Sequence, residues 1–123
     1  MKRILVIYAI AVFITACANH RGNYLVSDVV EAMERYDGNV ISVKGYLHIS
    51  ESLNISLYHI PKGEIYLDLA FDLEILPREK YIPGKFYCVF VRGKFIQYTE
   101  DLILLGAISP YGRVDVKLVE HCE

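Results

Sequence analysis

Tryptophan is missing from the chain's 123 residues, and cysteine is scarce at three, methionine at two and proline at four. Ten tyrosines and five phenylalanines carry the aromatic bulk instead, so the lack of indole leaves a core fully affordable. No long membrane-spanning run stands at the start: the apolar stretch 4–13 has ten residues, against the roughly 20 that a spanning helix needs. Positive charge is not in excess either, with 13 Lys and Arg against 15 Asp and Glu. Nucleic acid is therefore disfavoured as a partner, since it is held through clustered cations that release counterions. Glycine-rich phosphate cradles and nucleophile elbows are absent too. A chain of this size makes one domain and needs no metal to hold it, and no cofactor is expected.

Part of the 54% hydrophobic content belongs to residues 1–18, which stand apart from the rest. Lys2 and Arg3 form a positive start, the apolar run follows, and Ile14-Thr15-Ala16-Cys17 closes it. This order resembles the bacterial lipoprotein signal, whose box is aliphatic, small or aliphatic, small, then cysteine. The resemblance implies diacylglycerol on the Cys17 thiol, cleavage before it, and acylation of the new amine. Residues 1–16 are then the signal peptide, 17–26 a lipidated tether, and 27–123 the folded domain. Two or three acyl chains hold firmly where one does not, because each buried CH₂ contributes about 0.8 kcal/mol. Ala18 in the position after the cysteine implies, by the enterobacterial sorting rule, an outer-membrane anchor facing the periplasm. Losing Lys2 and Arg3 takes the formal charge of −2 down to −4.

Along the rest of the chain, residues 19–25 lack any period and read as flexible. Ser27 or Asp28 offers an N-cap to a helix over 27–36, with Val29, Val30, Met33 and Tyr36 on one side. Asp28, Glu31, Glu34 and Arg35 lie on the other, the acids near the positive N-terminal end of the helix dipole, where they stabilise. Residues 39–49 then alternate strictly: Ile41, Val43, Gly45, Leu47 and Ile49 against Ser42, Lys44, Tyr46 and His48. That is a strand with one buried face, and Gly45 in the buried phase marks a coil or a close approach. A bend at 50–54, a strand with Ile55 and Leu57, a Pro61-Lys62-Gly63 turn and a strand over 64–71 complete a meander. Residues 72–81 form a connector with one helical turn. The fourth strand, 85–97, places Tyr87, Val89, Val91, Gly93 and Phe95 inward, so Gly93 repeats the part of Gly45. Residues 102–108 and 114–118 are a fifth strand in two pieces or a hairpin of two short ones.

Three meander strands, a connector, and two further strands with Val-x-Val-x-Gly in the first and fourth resemble the OB-fold. The run 36–48 is similar to the helix-to-strand junction of OB-type bacterial lipoproteins. The implied fold is all-β: a small five-stranded Greek-key barrel with one short N-terminal helix. The connector departs from the family in having no long helix, and the fifth strand departs in being interrupted.

Chemistry is thinly represented. His48 and His59 face each other if the first hairpin turns at Leu53 and Asn54, and Glu51 stands nearby, but two imidazoles are too few for a metal site, and His20 and His121 lie near the two ends. Asp68 and Asp72 read as outward and solvated, whereas acid-base work needs a shifted carboxyl. Outward aromatics are the stronger signal. Tyr46, Phe86 and Phe90 on the first and fourth strands and Tyr66 on the third suit stacking on a sugar or anchoring a protein. The expected function is a lipid-anchored envelope binding or accessory module with protein or glycan partners and no catalysis. A lipoprotein inhibitor or immunity factor would instead gather Glu51, Glu64 and Glu100 into one acidic patch, and an envelope enzyme would show titratable groups converging in a pocket.

Once Cys17 carries lipid, Cys88 and Cys122 remain as an even pair, read as a disulfide in an oxidising compartment. Antiparallel pairing of the fourth and fifth strands brings their neighbourhoods together. Strand phase opposes the bond, since Cys88 points outward and Cys122 counts with the inward residues. The conflict vanishes if the chain leaves the strand by Glu120.

Overall fold

The computed structural model describes residues 23–77, 79–100, 102–110, 112–120 and Cys122. The signal, Cys17, Ala18, His20 and His121 thus lie outside the described residues. The expected all-β class holds, with seven strands in one sheet and two short α-helices instead of one among the described residues. They follow as β1 (Asn23–Leu25), α1 (Val26–Glu31), α2 (Met33–Tyr36), β2 (Val40–Ile49), β3 (Ile55–Tyr58), β4 (Tyr66–Leu69), β5 (Phe86–Glu100), β6 (Ile103–Ile108) and β7 (Asp115–Leu118). No helix among them is long and apolar enough to cross a membrane.

Strand pairing runs β2-β3-β4-β6-β5 and returns to β2, with the β4–β6 contact parallel and the others antiparallel. Two further strands lie outside this ring. β1 pairs parallel with the start of β2, and β7 pairs with Val89 to Arg92 of β5. Residues 102–118 are therefore two separate strands, each laid against a different half of β5. A three-residue strand carries too little alternation to be read, so β1 corrects the flexible reading of residues 23–25. Val26, assigned to the tether, is fully buried and opens α1.

The expected single helix over 27–36 is broken at Ala32, whose φ of −139° and ψ of 46° leave helical space. Alanine is the best helix former, so intrinsic preference cannot be the cause. The two pieces pack on different parts of the sheet, α1 against β2 and β4 and α2 against β5. The break lets Val26, Val29, Met33 and Tyr36 all reach the interior. Leu25, and not Ser27 or Asp28, occupies the N-cap position; leucine has no capping oxygen, and the Asp28 carboxylate reaches back to accept from the Leu25 N–H at 3.1 Å.

Inside, Ile41, Val43, Leu47 and Ile49 of β2 meet Val89, Val91 and Phe95 of β5, as their alternation predicts. Gly45 and Gly93 mark close approaches. A Cβ on Gly45 would lie 2.7 Å from Val26 Cγ2 and 2.8 Å from the Tyr58 carbonyl oxygen, and one on Gly93 2.7 Å from Ile108 Cγ2. The third strand is shorter than its pattern, because Ile65 is exposed and Phe71 is buried beyond the strand end. Connector residues 70–85 hold one 3-10 turn, Leu73–Ile75, capped by Asp72 accepting from the Glu74 N–H at 3.1 Å. The connector is fastened over the Ile49 end of β2, where the Gly84 N–H donates to the Ile49 carbonyl at 2.9 Å and the Ile82 N–H to the Tyr87 hydroxyl at 2.8 Å.

Candidate binding surface

Alternation along β2 sends Tyr46 and His48 outward, and pairing register decides what they meet. Tyr46 stands opposite Tyr58 of β3 and Cys88 of β5, while His48 stands opposite Ser56 and Phe86. Tyr58 in turn faces Tyr66 of β4. Four rings therefore converge on one outer patch spanning four strands. His48 stacks on Phe86 with centroids 4.5 Å apart and planes at 27°. Tyr58 meets Phe86 at 5.6 Å and 73°, His48 at 6.0 Å and 84°, and Tyr66 at 5.3 Å. Offset and edge-on arrangements at such separations are attractive beyond the area they bury. Tyr66 forms the open edge, 44% exposed, and the other three are half-buried.

Of the four aromatic residues expected to be a contact surface, Tyr66 and Phe86 belong to this cluster and Tyr46 borders it through its pairing with Tyr58. Phe90 does not join them. It lies further along β5, opposite Lys44, whose Nζ sits 5.9 Å from its ring centre. Sequence reasoning missed His48 and Tyr58 as cluster members. His48 shares the outward phase of Tyr46, so the signal was present; what was lacking was the hairpin register. That register also places Ser56 opposite His48, so His48 and His59 do not face one another. Among the described residues, no three His, Cys, Asp or Glu side chains gather as a metal site.

Asp68 is not simply solvated. It is half-buried and accepts a hydrogen bond from the Tyr98 hydroxyl, which crosses from β5. That bond, with burial and the negative charge of Asp68, pushes the Tyr98 phenol up to about 12. Asp72 serves as the 3-10 cap already described.

Separately, an apolar pocket of about 220 Å³ opens at the Ile49 end, lined by Ile49, Leu53, Leu73, Leu76, Tyr81 and Pro83. Among the described residues of this lining Tyr81 is the titratable side chain, and burial first, then Tyr87, raises its phenol. Such a lining can accept an apolar group but offers no acid-base pair. Glu51, Glu64 and Glu100 fall at three different turns, and Glu51 and Glu100 at opposite ends of the sheet, so they form no common patch.

Cys88 and Cys122 stand at disulfide distance, with Cα atoms 5.5 Å apart. β7 ends at Leu118, and the Val119 N–H donates to the Cys88 carbonyl at 2.9 Å, after which strand phase no longer applies to Cys122. Comparison with known proteins returned nothing: no family model, curated protein or solved structure matches the chain.

Proposed function

We propose that this chain is a lipid-anchored binding module of the cell envelope, and that the His48, Tyr58, Tyr66 and Phe86 patch is its contact surface for a protein or glycan. The observation that carries the reading is the mutual packing of four rings on an outer face, with Tyr66 at its open edge. Rigid aromatic rings supply contact area at small cost in ordering, and their faces suit both sugar stacking and protein anchoring. The scaffold we propose is a five-stranded Greek-key barrel of the OB type, made by β2, β3, β4, β5 and β6. The return of the pairing to β2 and the single parallel β4–β6 contact support it. β1 and β7 are additions at its edges. No catalytic step, cofactor or metal enters this reading, and nucleic acid is left out on charge.

Anchoring is proposed through acyl chains on Cys17, with the outer membrane facing the periplasm as the location that Ala18 favours. Fatty-acid labelling tests it: label on the wild type and none on Cys17→Ser is expected, and label retained by the variant overturns the assignment. For the binding surface, crosslinking in intact envelopes and pulldown on isolated cell-wall glycan are compared for the wild type and Tyr58→Ala/Phe86→Ala. Loss of the captured partner by a variant that still melts cooperatively supports the patch; unchanged capture excludes it.

A further inference from the structure

The β5–β6 hairpin ends in three consecutive exposed apolar residues: Leu102 is 99%, Ile103 60% and Leu104 46% exposed. Three such residues in a row on a solvent-facing turn are contrary to solubility unless something covers them. The backbone makes the same point independently. Glu100 and Ile103 are paired, so a two-residue connection joins the strands, and Leu102 within it has φ of 67°. Hairpins take glycine or asparagine at such positions, and a leucine there is an outlier whose side chain gains no contact in return.

Position in the fold indicates what covers it. Val40, the first residue of β2, pairs with Lys94, and β5 continues past that point to Glu100. The hairpin therefore projects from the end of the sheet at which β2 begins. Asn23 pairs with Ser42 near that same end, and β1 runs away from it. Between Cys17 and Asn23 lie six residue steps, which reach at most about 21 Å at 3.5 Å each. From Arg92, level with Ser42, to Glu100 are eight steps, about 26 Å along a strand. Even on a fully extended tether Cys17 thus falls about 5 Å short of the depth of Glu100, so the hairpin tip meets the surface that holds the lipid.

We propose that Leu102, Ile103 and Leu104 insert into the lipid surface to which the chain is anchored, as a second membrane contact beside the acyl chains. This rests on the lipoprotein reading of Cys17. Glu100 and Asp101, which precede Leu102 in the sequence, favour zwitterionic over anionic headgroups and stop insertion at the headgroup boundary. Two contacts fix the orientation of the domain and keep the Ile49 end farthest from the bilayer.

The absence of tryptophan provides the test, because Leu102→Trp makes a protein with one indole. The full-length variant is placed on phosphatidylcholine vesicles with and without brominated acyl chains. Blue-shifted emission and quenching by the brominated lipid are expected, with neither seen for Ile82→Trp at the opposite end. Ile103→Trp is the second reporter if position 102 does not tolerate indole. Water-like emission from a protein that remains on the vesicles overturns the insertion and leaves the lipoprotein reading standing. If fatty-acid labelling finds no lipid on Cys17, that reading fails on its own, and the tip survives only if added vesicles still shift the indole. A shift in native envelopes that is absent with protein-free vesicles assigns the tip to a protein partner and overturns the proposal.

Discussion

The two faces of the β2–β5 pair are both rich in apolar and aromatic residues, yet they are occupied differently. Val43, Leu47, Val89, Val91 and Phe95 point inward and are fully buried against elements distant in sequence. Tyr46, His48, Phe86 and Phe90 point outward, are half-buried, and find their neighbours among strand partners on the same face. The inner set is what the fold requires. The outer set adds less, through cross-strand ring contacts, and keeps part of its aromatic surface open to a partner.

That contrast predicts unequal losses from equal truncations. Phe95→Ala removes a fully buried ring and is expected to cost about 3 to 5 kcal/mol, through lost transfer energy and the cavity it leaves. Phe86→Ala loses its stacking on His48 and Tyr58, worth roughly 0.5 to 1.5 kcal/mol beyond area. Urea unfolding of the two variants measures the difference, and equal losses would abolish the distinction between the faces.

Cys88 sharpens it from the other side, as an outward residue with an inward-sized effect. Cys122 stands at disulfide distance with a sequence separation of 34, and in the chain-entropy model a bond closing that loop would stabilise by about 3 to 4 kcal/mol. Cys88→Ser is expected to lower stability by up to that amount in oxidised protein. The same substitution should change little once the wild type is reduced. Two reactive thiols in the folded, air-oxidised wild type would remove the bond from the account.

How far these features could be read in the chain follows from their range. The inward phase of β2 is local, a period of two over ten residues, and each of its expected buried positions is buried. Gly45 and Gly93 announced close approaches for the same reason, since a glycine in a buried phase is informative wherever its neighbour comes from. The 3-10 turn of the connector was legible from the end of alternation. By contrast, β1 is too short to show a period, and the break at Ala32 is imposed by packing that opposes local preference. The aromatic patch was half legible: outward phase picked out Tyr66 and Phe86, but adding His48 and Tyr58 required the β2–β3 register. Asp68 read as solvated because its partner, Tyr98, is 30 residues away on a strand that pairs with β6 and not with β4.

Tyr98 and Asp68 give the smallest expected effect, visible only in alkali. The Tyr98 phenol is held at about 12, against an ordinary value of 10.0, chiefly because its proton is shared with the Asp68 carboxylate. The fold thus favours the protonated phenol. Between these values the native state binds more protons than the unfolded chain, so stability falls as pH rises. The contribution is complete below pH 10.0 and is lost as pH passes through about 12. Tyr98 is half-buried, so solvent screening keeps the loss small. Tyr98→Phe removes the titrating group and should flatten that part of the urea-midpoint profile. Below pH 10.0 it leaves Asp68 without this donor at modest cost, because a half-buried carboxylate can recruit water. Identical slopes for wild type and variant above pH 10.0 would show that this hydrogen bond contributes nothing to folding.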